Sequence, residues 1–143
     1  MSVKRVEPNQ AAELIGEGWT YLDVRSVGEF DQGHPKGAYN VPLVHMEPGG
    51  ARSVNADFMA VCEAAFSKDT KLVVGCRTGV RSLRAAGMLL DAGYADVVDM
   101  RGGFAGETDA AGGVTCPGWT EWKLPVQSKP EPGRSYAELE AKK

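Results

Sequence analysis

The sequence predicts an α/β fold built on a mostly parallel sheet, and three observations carry that prediction. Short β-branched runs alternate with longer stretches of helical period. The run Lys71-Leu72-Val73-Val74-Gly75 is apolar almost throughout, as suits a strand covered on both faces. Strands separated by helices imply right-handed crossovers between parallel neighbours. At 143 residues the chain is the size of one ordinary domain and needs no disulfide or metal staple.

Taken in order, Pro8 and Asn9 precede an amphipathic stretch, Ala11 to Ile15, that Gly16 and Gly18 should end. Tyr21 to Val24 reads as a short buried strand. Ser26 with Glu29 three residues later fits a capping box that opens a short helix. Ala38 to Val41 reads as the next strand, closed by Pro42. Residues 48–54 read as loop, broken at Gly49-Gly50. Phe58, Val61, Cys62, Ala65 and Phe66 share one helical face. The 71–75 strand follows, then a helix over 81–92 with Leu83, Ala86, Gly87 and Leu90 on one face. Residues 96–100 form a further strand. A glycine-rich insertion over about 105–118 lacks a clear period and reads as a long loop. Trp119 and Trp122 suggest one helical turn packed on the domain. A domain over 1–126 and a polar C-terminal tail over 127–143 follow, the tail containing a charged helix with little apolar face.

The composition excludes several classes. A net charge of −3 gives no bulk attraction for nucleic acid or acidic lipid. No stretch approaches the ~18 apolar residues of a membrane span. The start, MSVKRVEPNQ, lacks the apolar run of a secretory signal. The three cysteines, Cys62, Cys76 and Cys116, make no disulfide framework and suit a reducing, cytoplasmic setting. With two histidines and no paired-cysteine spacing, no metal site is expected.

The chemistry concentrates in Cys76-Arg77-Thr78-Gly79-Val80-Arg81-Ser82, where a buried strand ends, a short loop follows and a helix begins. Ligands of open α/β sheets bind at such carboxyl ends. A loop curling into a helix start points backbone N–H groups into one concavity, an anion nest. Gly79 suits the tight bend, and Arg77 and Arg81 add positive charge. A thiol placed there is favoured as thiolate and can attack an electrophilic atom of an anionic substrate.

Together with these residues, Tyr21-Leu22-Asp23-Val24-Arg25, Glu29-Phe30, Gly33-His34, Gly37 to Pro42, Gly102-Gly103-Phe104 and Leu124-Pro125-Val126 give the chain a pattern that resembles the rhodanese (thiosulfate sulfurtransferase) family over about residues 5–126. The resemblance implies a rhodanese-like fold, a five-stranded, largely parallel sheet with helices on both faces. It implies that Cys76 accepts a sulfane sulfur as a persulfide from a small anionic donor such as thiosulfate. The sulfur then passes to cyanide, a thiol or a sulfur-accepting protein. Arg81, with Arg77, would orient the donor, and backbone N–H groups from Arg77 through Thr78, Gly79, Val80 and Arg81 to Ser82 would stabilise the sulfur. No cofactor is needed.

Cysteine-dependent phosphatases and arsenate reductases are the nearest rivals, but the phosphatases carry C-x5-R where this loop has C-x4-R. The shorter loop makes a cradle suited to a sulfur atom. A non-catalytic binding module using the same cleft is the other alternative; an intact cysteine and loop arginine argue against it. Asp23 and Arg25 read as an internal ion pair supporting the neighbouring loops. His34 reads as a structural turn residue and Cys62 as core. Cys116 is by default a spectator in the insertion; its other reading is a relay thiol attacking a Cys76 persulfide.

Overall fold

A computed structural model describes residues 2–143. The chain runs through β1 (Lys4–Val6), α1 (Pro8–Gly16), β2 (Thr20–Asp23), α2 (Val27–Gln32), β3 (His34–Pro35), β4 (Tyr39–Asn40), β5 (Val44–Met46) and β6 (Arg52–Val54). It continues through α3 (Phe58–Ala65), β7 (Leu72–Gly75), α4 (Val80–Asp91), β8 (Val97–Met100), β9 (Glu107–Thr108), β10 (Val114–Cys116), β11 (Val126–Gln127) and α5 (Tyr136–Glu140). Five strands form one sheet in the order β1-β8-β7-β2-β4. Every pairing in it is parallel.

The two-residue alternation of β7 shows how this sheet is covered. Leu72 and Val74 join one core with Leu22 and Val97 of the neighbouring strands and Val24 just past β2, packed beneath α3, α4 and α5. Val73 points the other way, into a second core with Tyr21, Val98, Ala11 of α1 and Phe30 of α2. Helices therefore lie on both faces, and the apolar run of β7 follows from its central position.

Local chemistry sets the element ends. Ser26 Oγ accepts the Glu29 N–H at 3.2 Å and Glu29 Oε1 accepts the Ser26 N–H at 3.1 Å, which completes the capping box of α2. The face of α4 differs from the expected one. Ser82, Ala85, Ala86 and Leu89 are buried, whereas Leu83 is exposed. Small residues let this helix lie close on the sheet, so its buried face does not coincide with its largest apolar side chains.

Three segments are more ordered than expected. Residues 44–54 form an antiparallel hairpin, β5–β6, with Gly49-Gly50 in its turn. The glycine-rich insertion contains a second hairpin, β9–β10, in which Asp109 Oδ1 accepts the N–H groups of Ala111 and Gly113 at the tip. In the segment expected as a polar tail, Tyr136 and Leu139 of α5 are buried in the main core and pack on α3. Trp119 is buried, with its indole N–H donated to the Pro125 carbonyl at 2.9 Å, while Trp122 is exposed. Only the first of the two tryptophans packs.

Candidate active site at the end of β7

Cys76 follows β7 directly and is almost fully buried. Its sulfur is held from two directions. The Gly79 N–H donates to Sγ at 3.1 Å, and the thiol donates to Ser82 Oγ at 3.3 Å. The first contact depends on Gly79 adopting φ +104°, a conformation that L side chains rarely take. Ser82 is fully buried, so it meets the sulfur from inside the domain. Arg77, Thr78 and Val80 project outward and are exposed.

The segment after β8 clasps this loop. Phe104 N–H donates to the Cys76 carbonyl at 2.8 Å and Ala105 N–H to the Arg77 carbonyl at 2.9 Å. Gly103, at φ +63°, lies against that backbone; a Cβ there would stand 2.5 Å from Arg77 O and 2.7 Å from Cys76 O. Only a residue without a side chain permits so close an approach.

Arg81 is not a free cation. It forms a two-pronged ion pair with Glu29, Nη1 to Oε1 at 2.7 Å and Nη2 to Oε2 at 3.0 Å. Burial acts to raise the Glu29 carboxyl, but the Arg81 and Ser26 hydrogen bonds outweigh it and hold its pKa at about 2. In the sequence Glu29 stands in the α2 capping box and in the Glu29-Phe30 motif, neither of which pairs it with Arg81. Its position directly across from the cysteine loop was the part that spacing could not show.

Asp23 and Arg25 pair inside the domain. Arg25 Nη2 donates to Asp23 Oδ2 at 2.8 Å and to the Gly33 carbonyl at 2.7 Å. Its guanidinium lies 4.4 Å from the Phe104 ring centroid. The pair thus ties the end of β2 to the α2–β3 corner and to the clasp over Cys76. His34 stacks on Phe30 at 3.7 Å and its Nδ1 lies 2.7 Å from the Phe30 carbonyl, so it is built into that corner.

Two cavities open beside the loop. One of about 330 Å³ is lined by Arg25, Glu29, Arg77 and Phe104; the other, of about 530 Å³, by Met46, Arg52, Arg77, Val80 and Arg81. Arg77 stands between them. The site therefore offers a buried sulfur with backbone and hydroxyl partners, two exposed cations, Arg52 and Arg77, and two ion-paired ones, Arg25 and Arg81.

The remaining thiols lie elsewhere. Cys62 is fully buried in the main core, and burial pushes it up to about 12. Cys116 ends β10 and packs against Gly102, with Glu7 Oε1 at 3.9 Å. Burial and the Glu7 charge raise its pKa. The Gly102-Gly103 turn separates it from Cys76, with Gly103 against the Cys76–Arg77 backbone and Gly102 against Cys116 Sγ.

Comparison with known proteins agrees with this geometry. Residues 7–109 match the family model described as "Rhodanese-like domain". The chain is 41% identical over 95 residues to "Thiosulfate sulfurtransferase 16, chloroplastic" of Arabidopsis thaliana, covering 66% of this chain and 78% of that protein. It is 37% identical over 117 residues to "Senescence-associated protein DIN1" of Raphanus sativus, covering 82% of this chain and spanning only 57% of the radish protein. The crystal structure of Rv0390 from M. tuberculosis superposes with a TM-score of 0.74 at 25% identity, covering 90% of this chain and all of that one. The parallel sheet, the cysteine loop at its carboxyl edge and these similarities together show that the chain belongs to the rhodanese-like domain family.

Proposed function

We propose that the protein is a sulfurtransferase that carries sulfur as a persulfide on Cys76. The observation that supports this best is the placement of Cys76 Sγ at a strand end with the Gly79 N–H aimed at it at 3.1 Å. The Cys76 thiolate attacks the sulfane sulfur of thiosulfate, the S–S bond breaks and sulfite leaves with its electron pair. A nucleophilic acceptor then attacks the outer sulfur of the Cys76 persulfide and restores the thiolate; cyanide leaves as thiocyanate. A thiol or a sulfur-accepting protein can take the place of cyanide. The Gly79 N–H and the Ser82 hydroxyl stabilise negative charge on the sulfur.

Exposed Arg77 is the first cation an anionic donor meets. Arg81 contributes its remaining N–H groups, or exchanges Glu29 for the donor. Asp23 and Arg25 support the site by holding its walls. A reducing compartment such as the cytoplasm keeps the thiol available; among the described residues no helix is long and apolar enough to cross a membrane. The test is a thiosulfate:cyanide assay of the protein and of Cys76→Ser. Thiocyanate production that Cys76→Ser abolishes without loss of fold supports the reading, and equal turnover by the two proteins refutes it.

A further inference from the structure

Two charged residues from distant parts of the chain meet behind the cysteine loop. Arg5 of β1 and Asp99 of β8 are register partners on adjacent strands. Asp99 is fully buried. The Arg5 guanidinium divides its donors between two acceptors: Nε donates to Asp99 Oδ2 at 2.7 Å, and Nη2 to the Gly79 carbonyl at 3.2 Å. Gly79 is the residue whose N–H reaches Cys76 Sγ. Burial raises the Asp99 carboxyl above its ordinary value, and the Arg5 hydrogen bond and charge act in the opposite direction. Ser82 is the hydroxyl partner of the sulfur.

A buried carboxylate calls for a cation, and a lysine could meet that need. The second arm of the fork has a different consequence. A planar guanidinium fixes two acceptors relative to one another, which an ammonium on a flexible stem does not. We propose that Arg5, anchored on Asp99, is a positioning residue for Cys76: it holds Gly79 by its carbonyl so that the Gly79 N–H stays aimed at the sulfur. The arrangement stabilises the thiolate before reaction and the persulfide after it. The proposal rests on Cys76 being the working thiol. The other titratable groups that act on this sulfur are Tyr21 of β2 and Arg81 of α4, with Glu29 of α2 paired to Arg81. All are unchanged in the variants below, so they form a constant background.

The experiment compares Arg5→Lys, Arg5→Gln and the unaltered protein by the pH dependence of iodoacetamide labelling, read specifically on the Cys76 peptide. Thermal melting is measured alongside. Both variants are expected to move the Cys76 labelling midpoint upward by about one pH unit, a tenfold loss of thiolate below the midpoint. Lysine keeps the charge but lacks the fork. A midpoint restored by Arg5→Lys would show that charge alone matters and would overturn the positioning role. So would melting losses with no movement of the midpoint in either variant. If Arg5→Gln does not fold, Arg5→Lys alone decides, because its shifted or unshifted midpoint is read against the unaltered protein. Labelling requires no sulfur transfer, so this result stands apart from the thiosulfate assay.

Discussion

Cys76 and Cys116 are both buried thiols in glycine-rich surroundings, and they differ in what faces the sulfur. Around Cys76 the neighbours are a backbone donor, a hydroxyl and the nearby Arg81 cation. Around Cys116 the nearest side-chain partner is the Glu7 carboxylate, which with burial raises the thiol. The Cys116 setting opposes a negative sulfur, whereas at Cys76 a backbone N–H points at the sulfur. Burial is common to both thiols; what separates them is the sign and direction of the groups that face each sulfur.

The largest effect should come from exchanging the two sulfurs for oxygen in turn. Cys76→Ser is expected to lower thiosulfate:cyanide turnover by about a thousandfold or more, since a hydroxyl cannot carry the sulfur. Cys116→Ser should leave turnover within about twofold, because it replaces one small buried side chain by another outside the site, with any cost appearing in stability instead. Steady-state rates at matched melting temperatures check both. Comparable losses in the two variants would erase the distinction and revive a relay through Cys116.

Next in size is Arg81→Ala. Loss of a charge-assisted contact should raise the donor KM by about tenfold. The ion pair with Glu29 adds a stability cost that the loop sequence did not foretell, because the variant leaves a half-buried carboxylate unpaired. Thiosulfate saturation curves and thermal melts separate the two effects. A KM unchanged beside a lowered melting temperature would make Arg81 structural only.

The same pair gives a pH signature. The folded Glu29 carboxyl sits at about 2, below its ordinary value of 4.5. Its contribution is therefore full above about pH 4.5 and is lost as pH falls toward 2, amounting to about 3 kcal/mol at most. Urea unfolding across that window, compared with Glu29→Gln, should show the protein losing stability on acidification and the variant losing less.

The smallest effect sharpens the contrast from the other side. Glu7→Gln removes the charge facing Cys116 and should speed iodoacetamide labelling of Cys116 severalfold at pH 8, by lowering a pKa that the carboxylate raises. Cys76 labelling should stay as it was. Peptide-resolved labelling rates give both numbers in one experiment.

What could be read from the sequence was what is local. Cys76, Gly79 and Arg81 are contiguous, so one strand–loop–helix junction contains them. The Ser26–Glu29 capping box spans four residues, and the apolar run of β7 announces a central strand. What escaped was long-range or built from small residues. Arg5 reaches Asp99 across 94 positions and Arg81 reaches Glu29 across 52; no local pattern encodes either pairing. The buried face of α4 was displaced because Ala85 and Ala86 pack more closely than Leu83 could. The hairpins at 44–54 and 107–116 have few residues per strand, so they show almost no alternation. Tyr136 and Leu139 lie three apart in a charged segment and look incidental until α3 is seen opposite them.

Sulfur transfer through Cys76 is tested most directly by intact mass spectrometry after mixing with thiosulfate, followed by peptide mapping without reduction. A gain of about 32 Da that reductant removes is expected, carried by the Cys76 peptide, absent in Cys76→Ser and present in Cys116→Ser. Sulfur found on Cys116 or Cys62, or no gain from thiosulfate or any persulfide donor tried, would contradict transfer through Cys76.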